Sequence, residues 1–126
     1  MADTATKRRW LIDLPHGDFV TPNSRGHWTQ RHSCSKAWRE AAGWAAKASR
    51  VPALHRAEVT LHVTPGDRRR RDPDGFTLVL KWCVDGLVDA GVLPDDTAEH
   101  VAYAGVRMLA PARWGWTVEV KEVVDD

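Results

Sequence analysis

Ala57-Glu58-Val59-Thr60-Leu61-His62-Val63-Thr64 alternates apolar and polar residues. Phe76-Thr77-Leu78-Val79-Leu80-Lys81-Trp82-Cys83-Val84-Asp85-Gly86-Leu87-Val88-Asp89-Ala90-Gly91 repeats them at a helical interval. The period of two predicts a strand whose Val59, Leu61 and Val63 face a core. The longer period predicts a helix over 76–91, with Phe76, Leu80, Cys83, Val84 and Leu87 on one face and Gly91 as its C-terminal stop. Pro65-Gly66-Asp67 breaks the chain between the two.

Working outward, Arg9-Trp10-Leu11-Ile12-Asp13-Leu14 reads as a strand stopped by Pro15. Residues 15–32 are rich in Pro, Gly, Asn and His and read as a long loop, a feature that usually serves function in a compact domain. Ser33 or Ser35 is placed to cap a helix reaching about Ser49, with Trp38, Ala41, Ala42, Ala45 and Ala48 as its apolar stripe. After a turn at Pro94-Asp95-Asp96-Thr97, residues 100–109 and 115–124 read as two closing strands, with Pro111 to Gly115 as the turn of a hairpin. Trp114-Gly115-Trp116 ends that hairpin and is a candidate for a dimer surface. The order implies one α+β domain over 1–126, a small mixed sheet with two main helices, and a flexible arm at 1–8.

A chain of 126 residues with 43% apolar content supports one core. No apolar run approaches the ~20 residues of a membrane span, so no membrane role is expected. The start, MADTATKRRW, lacks the apolar stretch of a secretory signal. Cys34 and Cys83 do not make a disulfide framework, and a reduced, cytoplasmic protein is the expectation. The net charge of +1 conceals a division. Residues 1–71 hold 14 Lys and Arg against 6 Asp and Glu, whereas residues 72–126 hold 4 against 11. The switch falls at Arg68-Arg69-Arg70-Arg71 followed by Asp72-Pro73-Asp74. A basic half suits a polyanion.

The junction has chemical content. Asp72, Asp74 and, after the second helix, Asp96 offer carboxylate oxygens, the ligands that Mg²⁺ and Mn²⁺ prefer. Metal-assisted hydrolysis of a phosphodiester needs little more from a protein, and the arginine run supplies phosphate contacts. Lys81 and Asp85 fall on one helix face, where a lysine can hold phosphate. The same residues also suit a plain turn, Asp-Pro-Asp-Gly, and a solvated basic patch.

Arg69-Arg70-Arg71-Asp72-Pro73-Asp74, then Lys81, Asp85-Gly86-Leu87 and Ala90-Gly91-Val92-Leu93-Pro94-Asp95-Asp96 together resemble the RusA family of Holliday-junction resolvases. The loop Thr21-Pro22-Asn23-Ser24-Arg25-Gly26-His27-Trp28 resembles that family's N-terminal loop more loosely. The resemblance implies a homodimeric, Mg²⁺-dependent endodeoxyribonuclease of the kind common in phages and prophages, with Mn²⁺ as a substitute and no small-molecule cofactor. Its substrate would be branched DNA, the four-way junction, resolved by paired nicks. Asp72, Asp74 and Asp96 match the family's metal-binding catalytic carboxylates, and Lys81 its catalytic-site lysine. Arg68, Arg69, Arg70, Arg71, Arg25, Arg31, Asn23 and Trp28 are the expected DNA contacts. Gly75 stands where the family usually has Asn, and the interval from Asp74 to Lys81 is longer. A non-catalytic junction binder whose site has decayed through Gly75 is therefore the alternative, and a small scaffold without a nucleic-acid role is a third class.

Two other signals carry less. His27, His32 and Cys34 lie close in sequence, but structural zinc needs four ligands. Among the tryptophans, Trp38 and Trp82 read as packed on helix surfaces. Trp28 is the better candidate for base stacking.

Overall fold

The structure, a computed structural model, describes residues 8–15, 28–68 and 73–124, the side chains of 28–33 excepted. Strand β1 (Arg9–Asp13) is followed by helix α1 (Trp28–Ala48), strand β2 (Ala57–Thr64), a single 3-10 turn (Pro73–Phe76), helix α2 (Thr77–Asp89) and strands β3 (Val101–Met108) and β4 (Gly115–Glu122). The four strands form one mixed sheet in the order β1-β4-β2-β3. β2 runs parallel to β3 and antiparallel to β4, and β4 is antiparallel to β1. The protein is thus a small α+β fold with a four-stranded mixed sheet and two helices.

The alternation in β2 does what its period dictates. Ala57, Val59, Leu61 and Val63 are fully buried, and Glu58, Thr60, His62 and Thr64 look the other way. Ile12, Trp116, Val118 and Val120 continue the apolar face through β1 and β4. α2, with Phe76 of the 3-10 turn before it, sets Leu80, Cys83, Val84 and Leu87 against this core, all of them buried. Burial pushes the Cys83 thiol up to about 12, so it packs as a hydrophobe. Trp38 of α1 is wholly buried and meets Trp116 edge to face at 4.9 Å. Among the described residues no helix is long and apolar enough to cross a membrane.

Several expectations need correction. α1 begins at Trp28, one turn and more before Ser33, because no Gly or Pro between 28 and 33 interrupts a helix. Trp28 and Arg31 therefore lie in its first turns, not in a loop. Its stripe uses Ala46 where Ala48 was expected; Ala48 is exposed. The last two strands form no hairpin, since β2 lies between them. The Leu109 N–H donates to the Val63 carbonyl at 2.8 Å and Ala112 N–H to Pro65 at 2.9 Å. These bonds carry the connection across the end of β2, where Trp114 rests on the bare face of Gly66. Trp116 is buried inside the domain and β4 is an inner strand, so among the described residues β3 is the closing strand that lies at a sheet edge. The chain is also anchored from Arg8, the last residue of the expected arm. The Arg8 guanidinium donates to both oxygens of Glu122 at 2.9 and 3.0 Å. Residues 1–7 and 16–27 lie outside the described residues.

α1 and α2 touch through backbone. A Cβ on Gly86 would strike the Arg39 carbonyl oxygen and sit 3.0 Å from the Gly43 nitrogen. Gly86→Ala should therefore lower stability by about 1–3 kcal/mol, the usual cost of overpacking, despite the better helix propensity of alanine. Gly91→Ala should cost about 1 kcal/mol, because its φ of +80° disfavours a side chain although the space around it is open. Urea midpoints compare the two, and an unchanged midpoint for Gly86→Ala would contradict the close approach.

Candidate active site

The C-terminus of α2 is tied off before the chain reaches Asp96. Gly91 N–H donates to the Val88 carbonyl and Val92 N–H to Leu87, both at 3.0 Å, which is the double bond of a Schellman stop. Val92 and Leu93 then plug into the core, and the Val92 carbonyl accepts from Leu54 N–H at 2.7 Å. The Thr97 carbonyl accepts from both His100 and Val101 N–H at 2.9 Å, leading into β3. Between these two anchors the Asp95 carboxylate accepts the Asp96 N–H at 2.7 Å. The loop so fixed carries Asp96 back beside α2.

There Asp96 meets Lys81. The Lys81 ammonium donates to Asp96 Oδ2 at 2.6 Å and to Asp85 Oδ1, one turn further along α2, at 2.8 Å. All three side chains are half-buried: 43% exposed for Lys81, 24% for Asp85 and 34% for Asp96. Partial burial works against the charge on Lys81, but the two carboxylate hydrogen bonds outweigh it and raise its pKa. The lysine in turn holds the Asp96 carboxyl below its ordinary range, by hydrogen bond first and by charge second. Tyr103 of β3 pairs in register with the core-facing Val59 and feels all three charges. Burial is the larger influence on its phenol, and the pKa is raised. The cluster is thus a lysine kept charged, hydrogen-bonded to the carboxylates of Asp85 and Asp96, beside a phenol whose pKa is raised.

The structure brings together two of the four residues expected to be catalytic, Lys81 and Asp96. Asp74 is exposed in the 3-10 turn at the head of α2, and no hydrogen bond or ion pair among the described residues joins it to them. Asp72 lies outside the described residues, as do Arg69, Arg70, Arg71, Asn23 and Arg25. Arg68 is described and exposed, just after the bend at Gly66 and Asp67 that follows β2. Trp28 and Arg31 are placed by their backbone alone, in the opening turns of α1. Among the described residues no group of three or more His, Cys, Asp or Glu side chains is gathered for a metal ion. In kind, Asp74 and Asp96 fit a hard divalent cation, because both offer carboxylate oxygen only.

Two members of the cluster went unassigned in the sequence. Asp85 reads in the sequence as sharing a polar face with Lys81, four residues away at the helical distance for an ion pair, but carries no assigned role there. Tyr103 carries no local signal, because what places it is the pairing of β3 with β2. On the far side of Asp85 an open groove of about 450 Å³ runs between the helices, lined by Lys36, Arg39, Trp82, Asp85 and Asp89 among others. Arg39 closes it with a bidentate pair to Asp89, Nη2 to Oδ1 at 2.7 Å.

No protein-family model matches the chain, and no curated protein matches it.

Asp96 and Asp89 both have carboxyl pKa values lowered from the ordinary 3.8 by a hydrogen-bonded cation. A depressed carboxyl pKa stabilises the fold above the unfolded value, and that contribution is lost as pH falls through the folded one. Stability should thus decline below about pH 4. In Lys81→Met the Asp96 pKa, followed by carboxyl-carbon NMR, should climb toward its ordinary value while that of Asp89 stays put. An Asp96 pKa that does not move would show that Lys81 is not what lowers it.

Proposed function

We propose that the chain is a RusA-like, metal-dependent endodeoxyribonuclease that resolves four-way DNA junctions by paired nicks, acting as a homodimer in the cytoplasm. The observation that supports this most is the 2.6 Å ion pair of Lys81 with Asp96. These residues are 15 apart in the chain, and the sequence resemblance matches them to one catalytic lysine and one catalytic carboxylate. A solvated turn has no reason to return an aspartate onto a half-buried lysine.

In this reading Asp74 and Asp96, with Asp72, hold Mg²⁺ or Mn²⁺ through carboxylate oxygen. The chemistry that such a cation supplies when bound is Lewis-acid polarisation of the phosphodiester and of the attacking water. The residues of the chain do the rest. Lys81 keeps its proton throughout the neutral range and offers a fixed positive charge to a phosphate oxygen. Arg68 to Arg71 neutralise phosphates of the DNA backbone, with Arg25, Arg31, Asn23 and Trp28 as further contacts. One chain carries one carboxylate set, so two matched nicks on opposed strands call for two chains about a two-fold axis. A second reading, a junction binder that does not cut, draws on Gly75, half-buried in the 3-10 turn where the resembling family has Asn.

Cleavage decides between the two. Incubated with a synthetic four-way junction, the protein should nick it in Mg²⁺ and not in chelator. Asp74→Asn and Asp96→Asn should each lower the rate at least a hundredfold while binding persists. Binding without any cleavage would establish the second reading. Binding should also weaken steeply with salt, each phosphate contact adding about 0.9 to the logarithmic slope. Replacing Arg69 and Arg70 together with Ala should flatten that slope by roughly 1.8. An unaltered slope and affinity would make the arginine run a solvated surface.

A further inference from the structure

The charged side chains along the polar edge of α2 form a line of alternating sign that begins on the Asp96 loop and ends on α1. Asp96 accepts from Lys81, Lys81 also donates to Asp85, Asp85 attracts Arg39 across the groove, and Arg39 is clasped by Asp89. Lys81, Asp85 and Asp89 are spaced at four-residue intervals, so a single face of one helix presents all three. Asp85 is the least exposed member of the lysine's cage, at 24%.

Resting on the nuclease reading, we propose that Asp85 is a positioning residue: it retains the Lys81 ammonium at the site when the Asp96 carboxylate turns to a divalent cation. An ammonium 2.6 Å from Asp96 Oδ2 occupies the approach to that oxygen and repels a dication. A dication on the other oxygen of Asp96 would still lie close to the ammonium, so the two cations compete for this carboxylate. Without Asp85 the lysine would have Asp96 as its remaining carboxylate partner and would hold it more tightly, and a cation would have to strip it away. With Asp85, one turn away on the same helix, the lysine keeps a carboxylate partner and stays within reach of a phosphate. Arg39 does not compete for that role, because both of its carboxylate hydrogen bonds go to Asp89.

A double-mutant cycle on the full chain tests this, with Mn²⁺ as the probe and its binding followed by electron paramagnetic resonance without DNA. Asp85→Asn removes a negative charge and so weakens Mn²⁺ binding by simple Coulomb attraction in any background. The proposal requires more: the loss should be at least threefold larger with Lys81 present than in Lys81→Met, and Lys81→Met alone should tighten binding. Asp85→Glu, which keeps the charge on a longer stem, should recover most of the wild-type affinity. Should Asp85→Asn fail to fold by circular dichroism, Asp85→Ala with and without Lys81→Met provides the same comparison. Equal losses in the two backgrounds, or a wild-type chain that binds no Mn²⁺, overturn the proposal. Junction cleavage is scored separately. Cleavage without coupling removes the role of Asp85 and leaves the nuclease reading standing, whereas coupling without cleavage does the reverse.

Discussion

Everything chemical in this molecule depends on how closely α2 lies against α1. Gly86 presents bare backbone to the Arg39 carbonyl, and Gly43 faces Gly86 in return with 3.2 Å between a would-be Cβ and the Gly86 oxygen. A side chain at either point would push the helices apart or roll one about its axis. Packing density tolerates little of that, because the interior has no slack to absorb it. The contact therefore sets the rotation of α2. With Gly86 turned to α1 and Leu80, Cys83, Val84 and Leu87 buried in the core, Lys81, Asp85 and Asp89 share the remaining edge. The line of charge from Asp96 to Arg39 follows from a pair of missing side chains.

The second constraint is the parallel pairing of β2 with β3. A parallel neighbour requires a crossover, and α2 with its flanking segments is that crossover. The chain leaving α2 must travel back before β3 can begin, and Asp96 lies on this return. The Schellman stop at Gly91 and the burial of Val92 and Leu93 fix the departure, and the Thr97 carbonyl fixes the arrival. Asp96 is thereby held by a core contact on one side and backbone hydrogen bonds on the other, although its own side chain is only half-buried. The bulge in β3 between its pairs with Val59 and Thr60 falls next to Tyr103, the strand residue that feels the same charges.

What was legible in the chain was what short-range periodicity encodes. β2 came out residue for residue, as did the buried face of α2 and its glycine stop, because bulky apolar side chains at a clear period leave one solution. The alanine stripe of α1 slipped at one position, because alanines on several faces give little contrast between one phase and the next. Its N-terminus was missed because a capping serine is a permissive signal, and a helix with no breaker upstream simply continues. The absence of a β3–β4 hairpin could not be read from either strand. It depends on where the link at 109–114 finds hydrogen-bond partners, and those are carbonyls of Val63 and Pro65, far back in sequence. The site divides in the same way. Lys81 and Asp85 meet through helical spacing, which any sequence shows, whereas Lys81 and Asp96 meet through a loop whose path only the packing of Val92 and Leu93 determines.

The fold does not need the charged cluster, which is why the cluster is informative. Among the described residues the buried set is entirely apolar, with no polar or charged member. Apolar burial scales at roughly 25 cal/mol per Å² and dominates the stability of such a core. A half-exposed ion pair, by contrast, contributes roughly 0–1 kcal/mol at most. Stability alone thus gives little reason to draw Lys81, Asp85 and Asp96 together, and neutral side chains on that edge would leave the same core intact. A lysine confined between two carboxylates, where the return loop brings Asp96 back beside α2, is an arrangement that folding tolerates and does not ask for. Changes in this cluster should leave the core standing, so what they alter in the molecule's chemistry can be read without the confusion of unfolding.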